Sequence, residues 1–97
     1  MTVKTIVITG CASGIGLSLA DRLFREGHRI LATDINGKAL EAVAEERGWT
    51  GSKAVMLSTH DVRDRASWQA CVDSVVKHWG QLDIVMNIAG VLISGYA

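Results

Sequence analysis

The stretch ITGCASGIG, residues 8–16, places three glycines and a serine directly after the first apolar run of the chain. Glycine loses more conformational freedom on folding than any other residue, so this concentration indicates a backbone requirement. Gly10 permits a tight turn, Gly14 lets backbone amides approach a ligand, and Gly16 lets a following helix pack closely. Ser13 adds a hydroxyl that can donate to a phosphate oxygen. The pattern is typical of a loop that cradles a pyrophosphate, and a plain glycine-rich turn is the alternative.

Asp34 is the second residue whose type and position indicate chemistry. It lies 18 residues after Gly16, the last glycine of the loop, where a carboxylate can accept hydrogen bonds from an adenosine ribose. The same negative charge repels a 2′-phosphate. The alternative is that Asp34 only caps or turns the chain after a strand.

The elements that must position these residues follow from the hydrophobic pattern. Short apolar runs predict four strands, at residues 3–9, 29–34, 54–58 and 82–89. Amphipathic spacing predicts three helices: one over 14–25 that stops at Gly27, one that Asn36 caps, and one that Asp64 caps and Gly80 ends. The helix residues expected on the apolar faces are Ile15, Leu19, Ala20, Leu23, Phe24, Leu40, Val43, Ala44, Trp68, Cys71, Val72, Val75, Val76 and Trp79; the two tryptophans are expected in the core rather than against a ligand.

Strands that alternate with helices predict a parallel sheet with right-handed crossovers and helices on both faces. In an open sheet of this kind, ligands bind beyond the carboxyl ends of the strands. The glycine loop and Asp34 both follow strands, so we expect them at that edge.

Composition excludes several other classes of protein. The chain has 97 residues, 48% of them hydrophobic, which suits one small domain with a real core. Its 10 Lys and Arg balance 10 Asp and Glu, so it lacks the basic excess of a nucleic-acid or membrane-surface binder. The N-terminus lacks the layout of a signal peptide, and no apolar run reaches the ~18 residues of a membrane span. Two isolated cysteines fit a reducing compartment, so we expect a cytoplasmic protein.

Cysteine and histidine give weaker signals. Cys11 precedes a helix start, which can lower the pKa of a thiol, but a small packed residue is the favoured interpretation. His28, His60 and His78 share no ligand spacing, so no metal site is predicted. We expect His60 at the surface, and contact with a ligand pocket beside Asp61 is the alternative.

Three stretches together resemble one known family. Residues 9–16, TGCASGIG, resemble the TGxxxGIG signature of short-chain dehydrogenases/reductases. Asp61-Val62 resembles the Asp-Val pair of that family beside the adenine, and residues 80–90, GQLDIVMNIAG, resemble its GxLDxxVNNAG segment. Ile88 stands where the family usually has a second Asn, so an amide that could tie the sheet together is lost. The resemblance extends from Lys4 to about Leu92.

The resemblance implies a Rossmann-like three-layer α/β/α fold, with the strands of its four-stranded parallel sheet in the order 3-2-1-4. It also implies that Asp61 bonds the adenine amino group, that Val62 gives a backbone contact, and that Asn87 lines the ribose side. Asp61 could instead cap the next helix, and Asn87 could be a buried amide at the sheet end. The cofactor-binding residues implied in this way, with the loop and Asp34, are Gly10, Ser13, Gly14, Ile15, Gly16, Asp34, Ile35, Asp61, Val62, Asn87, Ala89 and Gly90.

The type of nicotinamide cofactor follows from charge. In the family, a basic residue that recognises NADP(H) usually stands at one of two positions, which Ser13 and Ile35 occupy here. Neither is basic, and Asp34 is acidic. NAD(H) is therefore predicted over NADP(H).

The family chemistry is hydride transfer between nicotinamide and an alcohol or carbonyl, with a Ser and a Tyr-x-x-x-Lys as catalytic residues. The single tyrosine, Tyr96, is followed only by Ala97, so neither it nor Ser94 is assigned to catalysis. We interpret residues 1–97 as an incomplete NAD(P)-binding domain, a truncated doubly wound fold from the N-terminal part of such an enzyme. A non-catalytic NAD-binding module or sensor is the alternative; a nucleoside-cofactor methyltransferase fits the glycine spacing less well. An open apolar edge at the fourth strand predicts self-association or docking to missing chain.

Overall fold

The computed structural model describes residues 2–88, which form one four-stranded sheet with three helices. The strands are β1 (Thr5–Ile8), β2 (Arg29–Asp34), β3 (Val55–Thr59) and β4 (Ile84–Met86); the helices are α1 (Gly14–Arg25), α2 (Gly37–Glu46) and α3 (Arg65–Trp79). Every strand pairing is parallel and the spatial order is β3-β2-β1-β4. The predicted Rossmann-like class and strand order are confirmed. Ala89, Gly90, Ser94 and Tyr96 lie outside the described residues.

The two faces of the sheet carry separate apolar clusters, because successive side chains of a strand point to opposite faces. Ile6 and Ile8 of β1 pack with residues of α1 and α2, among them Ala20 and Leu40. Val7 lies on the other face, in a smaller cluster with Cys71 and Val75 of α3. Helices on both faces explain why β1 is buried along its whole length.

The ends of the helices follow the predicted signals. Asn36 caps α2 through a hydrogen bond from the Ala39 amide to its Oδ1 (3.1 Å), and Asp64 caps α3 by accepting from the Ala66 amide (2.9 Å). Gly27 and Gly80 follow α1 and α3 with φ of 93° and 82°, a left-handed conformation that glycine adopts at little cost.

Two residues expected in the core are exposed instead. Ile15 is 61% exposed and lines an open groove along α1 with Ser18 and Leu19. Val76 is 45% exposed, because α3 is the one described helix on its face of the sheet. Sequence periodicity predicts which residues share a helix face, but not how wide a stripe of that face is covered.

The boundaries of three strands also differ from the prediction. β1 covers 5–8 rather than 3–9, β3 is shifted by one residue, and β4 covers 84–86 rather than 82–89. Asp83 contributes at the start of β4 through its side chain, which accepts from the Thr5 amide at 2.8 Å. Within residues 2–88, no helix is long and apolar enough to cross a membrane.

A buried polar cluster joins α1 to the exit of α2. The Trp49 indole N–H donates to Asp21 Oδ1 at 3.1 Å, and Arg25 Nε donates to Asp21 Oδ2 at 3.0 Å. Arg47 lies 3.5 Å from the same oxygen. Burial acts to raise the pKa of Asp21, but these partners outweigh it and lower the pKa. The carboxylate is therefore held charged between two helices.

Candidate functional site

The carboxyl edge of the sheet brings the predicted site residues together. Gly10 follows β1, Asp34 ends β2, Asp61 follows β3 and Asn87 follows β4. Hydrogen bonds link neighbouring strands at this edge: the His60 amide donates to the Asp34 carbonyl (3.0 Å). This is the edge at which open parallel sheets bind ligands.

The glycine loop has the geometry that its sequence predicts. Gly10 and Gly14 have φ of 72° and 60°, in the left-handed region. A Cβ on Gly16 would overlap the carbonyl oxygen of Gly10 and would lie 3.1 Å from the Thr9 carbonyl oxygen. A Cβ on Gly14 would meet no atom of the described chain within 4 Å. Gly16 thus allows α1 to lie against the turn, and Gly14 faces open space.

The first turn of α1 exposes backbone donors to that open space. Its cap residue Ser13 makes no side-chain capping hydrogen bond, in contrast to Asn36 and Asp64 at the other two described helices. The first N–H groups of a helix have no partner within the helix and carry partial positive charge. This helix start, with the exposed Ser13 and Ile15, can accept an anion.

Asp34 is tied to the loop by its side chain. Its Oδ2 accepts from the Ala12 amide at 3.0 Å, and its Oδ1 accepts from the Asn36 amide at 2.9 Å. The alternative role of Asp34, which is to turn the chain after β2, is therefore present in the structure. An ionised carboxylate has about four acceptor sites, so acceptor capacity for ribose hydroxyls remains on both oxygens. Ile35, the next residue, is 61% exposed.

A pocket of about 170 Å³ opens beside Asp34. It brings together five of the predicted residues and adds His60, whose contact with the pocket was the alternative to a surface position, and Arg63, which was not predicted. The lining consists of Gly10, Asp34, Ile35, His60, Asp61, Val62 and Arg63.

Asp61 is held by Arg63 rather than by the following helix. Its Oδ1 accepts from the backbone amide (3.0 Å) and Nε (3.1 Å) of Arg63, and its Oδ2 accepts from Nη2 (3.0 Å). These hydrogen bonds lower the pKa of Asp61 to about 2. The capping role belongs to Asp64, so the capping alternative for Asp61 is wrong.

His60 is buried, and the expectation of a surface histidine is wrong. It is 2% exposed, its Nδ1 lies 3.4 Å from Thr33 Oγ1, and its ring meets Trp68 edge to face at 4.3 Å between centroids. Burial lowers the pKa of His60, so the imidazole is neutral at pH 7. Trp68 also donates its indole N–H to the Val62 carbonyl at 2.8 Å. The two rings therefore form a fixed wall behind the pocket, which no local sequence pattern signals.

Asn87 and Ile88 complete the edge beside β1. Thr9 Oγ1 donates to Asn87 Oδ1 at 2.9 Å, and the Thr9 amide donates to the Met86 carbonyl at 3.0 Å. Asn87 is exposed, so the interpretation as a buried amide is wrong. Ile88, which replaces the second Asn of the family pattern, packs against the apolar cluster under α1 and α2. The departure thus replaces a polar contact by apolar packing.

Cys11 is a packed residue and not a reactive one. It is fully buried, its thiol donates to the Ile8 carbonyl at 3.2 Å, and burial raises the pKa of the thiol to about 12. No group of three or more potential metal ligands occurs within residues 2–88.

Comparison with known proteins gives the same picture. The chain is 40% identical over 89 residues to 3beta-hydroxysteroid dehydrogenase 2 of Eggerthella lenta. This match covers 92% of this chain and 34% of that protein. It is 31% identical over 91 residues to the NADP-dependent (R)-specific alcohol dehydrogenase of Lentilactobacillus kefiri. This second match covers 94% of this chain and 35% of that protein. The chain therefore spans about a third of the length of the curated relatives it matches.

A solved structure shares the fold of this chain. The short chain dehydrogenase/reductase from Burkholderia phymatum in complex with NAD matches with a TM-score of 0.77 and 26% identity, over 86% of this chain and 29% of that one. The family model for short chain dehydrogenases matches residues 4–97. From the glycine loop to the end of β4, sequence, fold and relatives agree: the chain belongs to the short-chain dehydrogenase/reductase family.

Proposed function

We propose that the chain is the dinucleotide-binding part of an NAD-dependent oxidoreductase that transfers hydride between NAD(H) and an alcohol or carbonyl substrate. The observation that carries the proposal is Asp34, whose carboxylate is bonded to the glycine loop and lines the same pocket as Asp61. Residues 1–97 are proposed as one incomplete dinucleotide-binding domain, and no catalytic residue is assigned to them. The buried free cysteines fit a cytoplasmic protein.

The residues present fit such a cofactor. Gly14 faces open space at an uncapped helix start, so the amides of Gly14, Ile15 and Gly16 and the hydroxyl of Ser13 would hold the pyrophosphate. Asp34, beside Gly10 and Ile35, would accept from the adenosine ribose hydroxyls.

The remaining predicted residues would hold the two ends of the dinucleotide. Asp61 would accept from the adenine amino group and Val62 would offer its backbone. Asn87, with Ala89 and Gly90, would line the nicotinamide ribose. When bound, the nicotinamide supplies the hydride acceptor or donor; these residues bind and orient it.

Cofactor choice is testable through Asp34. A 2′-phosphate would lie against this carboxylate, and the nearest basic residue of the pocket, Arg63, is already paired with Asp61. We therefore expect the 97-residue chain to bind NAD(H) at least 10-fold more tightly than NADP(H), measured by fluorescence titration.

The matched variant is Asp34→Ser with Ile35→Arg, which removes the negative charge and adds a positive one. It should reverse the preference, because a guanidinium binds phosphate in a forked geometry. Tighter binding of NADP(H) by the wild-type chain would contradict the assignment of NAD.

We further propose that the edge of β4 associates with a second copy of the chain. Among the described residues, β4 pairs only with β1, and Val85 on it is 48% exposed. An apolar strand edge with unpaired backbone groups favours pairing with another chain.

A further inference from the structure

Arg63 and Asp61 form a forked pair at the mouth of the pocket. Three hydrogen bonds of 3.0–3.1 Å join them: two reach Asp61 Oδ1 and one reaches Oδ2. An ionised carboxylate offers two acceptor sites on each oxygen. Oδ1 is therefore saturated, and one acceptor site is left on Oδ2.

The pair is poorly placed to stabilise the fold. The side chain of Arg63 is 76% exposed and that of Asp61 is 35% exposed. Ion pairs in water contribute little to stability, because solvent screens them and long side chains lose entropy. The pair nevertheless lies within the lining of the pocket, and Arg63 is the one lysine or arginine of that lining.

The backbone between the two members of this pair is also held in place. The Val62 carbonyl is occupied by the Trp68 indole N–H, and Trp68 packs against the buried His60 ring. The peptide between Asp61 and Arg63 therefore has a defined orientation. A base that lies against Asp61 meets the one acceptor site left on that carboxylate, beside a backbone of fixed orientation.

We propose that Arg63 is a positioning residue, which orients Asp61 so that its one remaining acceptor site selects a base with an amino group over a base with an oxo group. This inference rests on the proposed function, because it presumes that the pocket holds the base of a dinucleotide. An ionised carboxylate can only accept hydrogen bonds. It matches the 6-amino group of adenine and repels the 6-oxo group of hypoxanthine.

The test compares the affinities of the 97-residue chain for NAD and for nicotinamide hypoxanthine dinucleotide. One charge-assisted hydrogen bond is worth a factor of about 10 in affinity, so the wild-type chain should prefer NAD by roughly that ratio. Arg63→Ala should lower the ratio at least about threefold while the melting temperature stays within about 2 °C of wild type. Lys77→Ala, which removes one positive charge at the far end of α3, should keep the wild-type ratio.

Arg63→Lys separates orientation from charge, because lysine keeps the charge but not the fork. It should behave like Arg63→Ala. An unchanged ratio in Arg63→Ala, or a full wild-type ratio in Arg63→Lys, would overturn the inference while leaving NAD binding in place. If the wild-type chain binds neither dinucleotide, the proposed function and this inference both fail.

Discussion

Gly16 and Asp34 act on the same loop from two sides. Gly16 has no side chain, so α1 can lie against the Gly10 carbonyl, and Asp34 accepts a hydrogen bond from the Ala12 amide. Neither contact needs a ligand. The loop is therefore preorganised, which lowers the entropy that binding would cost.

The buried His60 makes stability depend on pH. Its pKa is lowered by burial, although Asp61 and Asp64 act to raise it. Well above pH 6.5 the imidazole is neutral in both the folded and the unfolded chain. As the pH falls below that value the unfolded chain takes up the proton first, so stability is lost.

We therefore expect the melting temperature of the wild-type chain to fall between pH 7 and pH 5. The fall should be smaller in His60→Gln, which cannot titrate. His78→Gln, at an exposed position of α3, serves as the control and should keep the wild-type slope. An equal slope in His60→Gln and wild type would contradict this account.

At the scale of elements, the chain is held together by polar contacts as well as by apolar clusters. α1 and the segment after α2 meet through Asp21 and Trp49, and β4 meets β1 through Asp83 and the Thr5 amide. Each contact joins parts of the chain that are far apart in sequence. These contacts therefore fix the positions of α1 and β4 relative to the parts of the chain that they contact.

Trp49→Phe tests the first of these contacts. Phenylalanine keeps most of the buried ring but removes the indole N–H, so Asp21 Oδ1 loses its partner in a buried place. We expect a loss of about 1–2 kcal/mol in the free energy of unfolding, measured by urea denaturation. Arg22→Ala removes an exposed pair with Glu26 in the same helix and should cost less than about 0.5 kcal/mol. Equal effects of the two variants would argue against a structural role for the buried bond.

At the scale of the whole molecule, the helices cover the sheet unequally. Two helices lie over one face and a single described helix lies over the other, where Val76 and Val85 are exposed. Val85 itself lies on β4, at the edge of the described sheet. With zero net charge and 48% hydrophobic residues, the chain is therefore expected to associate.

Self-association should appear as a molar mass that rises with concentration in size-exclusion chromatography with light scattering. Val85→Lys should shift the chain towards monomer, because a charge on an edge strand opposes pairing. Val3→Lys makes the same change at an exposed residue before β1 and should have little effect. A wild-type chain that stays monomeric and melts cooperatively would contradict the proposal.

The sequence by itself determined the features that depend on local chemistry. The glycine spacing predicted the conformation of the loop that contains Gly10, Gly14 and Gly16. The residue types at Asn36 and Asp64 predicted two helix starts. Periodicity predicted every described strand and helix in order. These signals are readable because backbone conformation, capping and amphipathicity act within a few residues.

Only the tertiary structure decided which side chains meet across the fold. The burial of His60 depends on Trp68 and Thr33, and the role of Trp49 depends on Asp21. The exposure of Ile15 and of Val85 likewise depends on which elements lie beside them. Burial and pairing are set by neighbours from distant parts of the chain, and a local pattern carries no information about which neighbours those are.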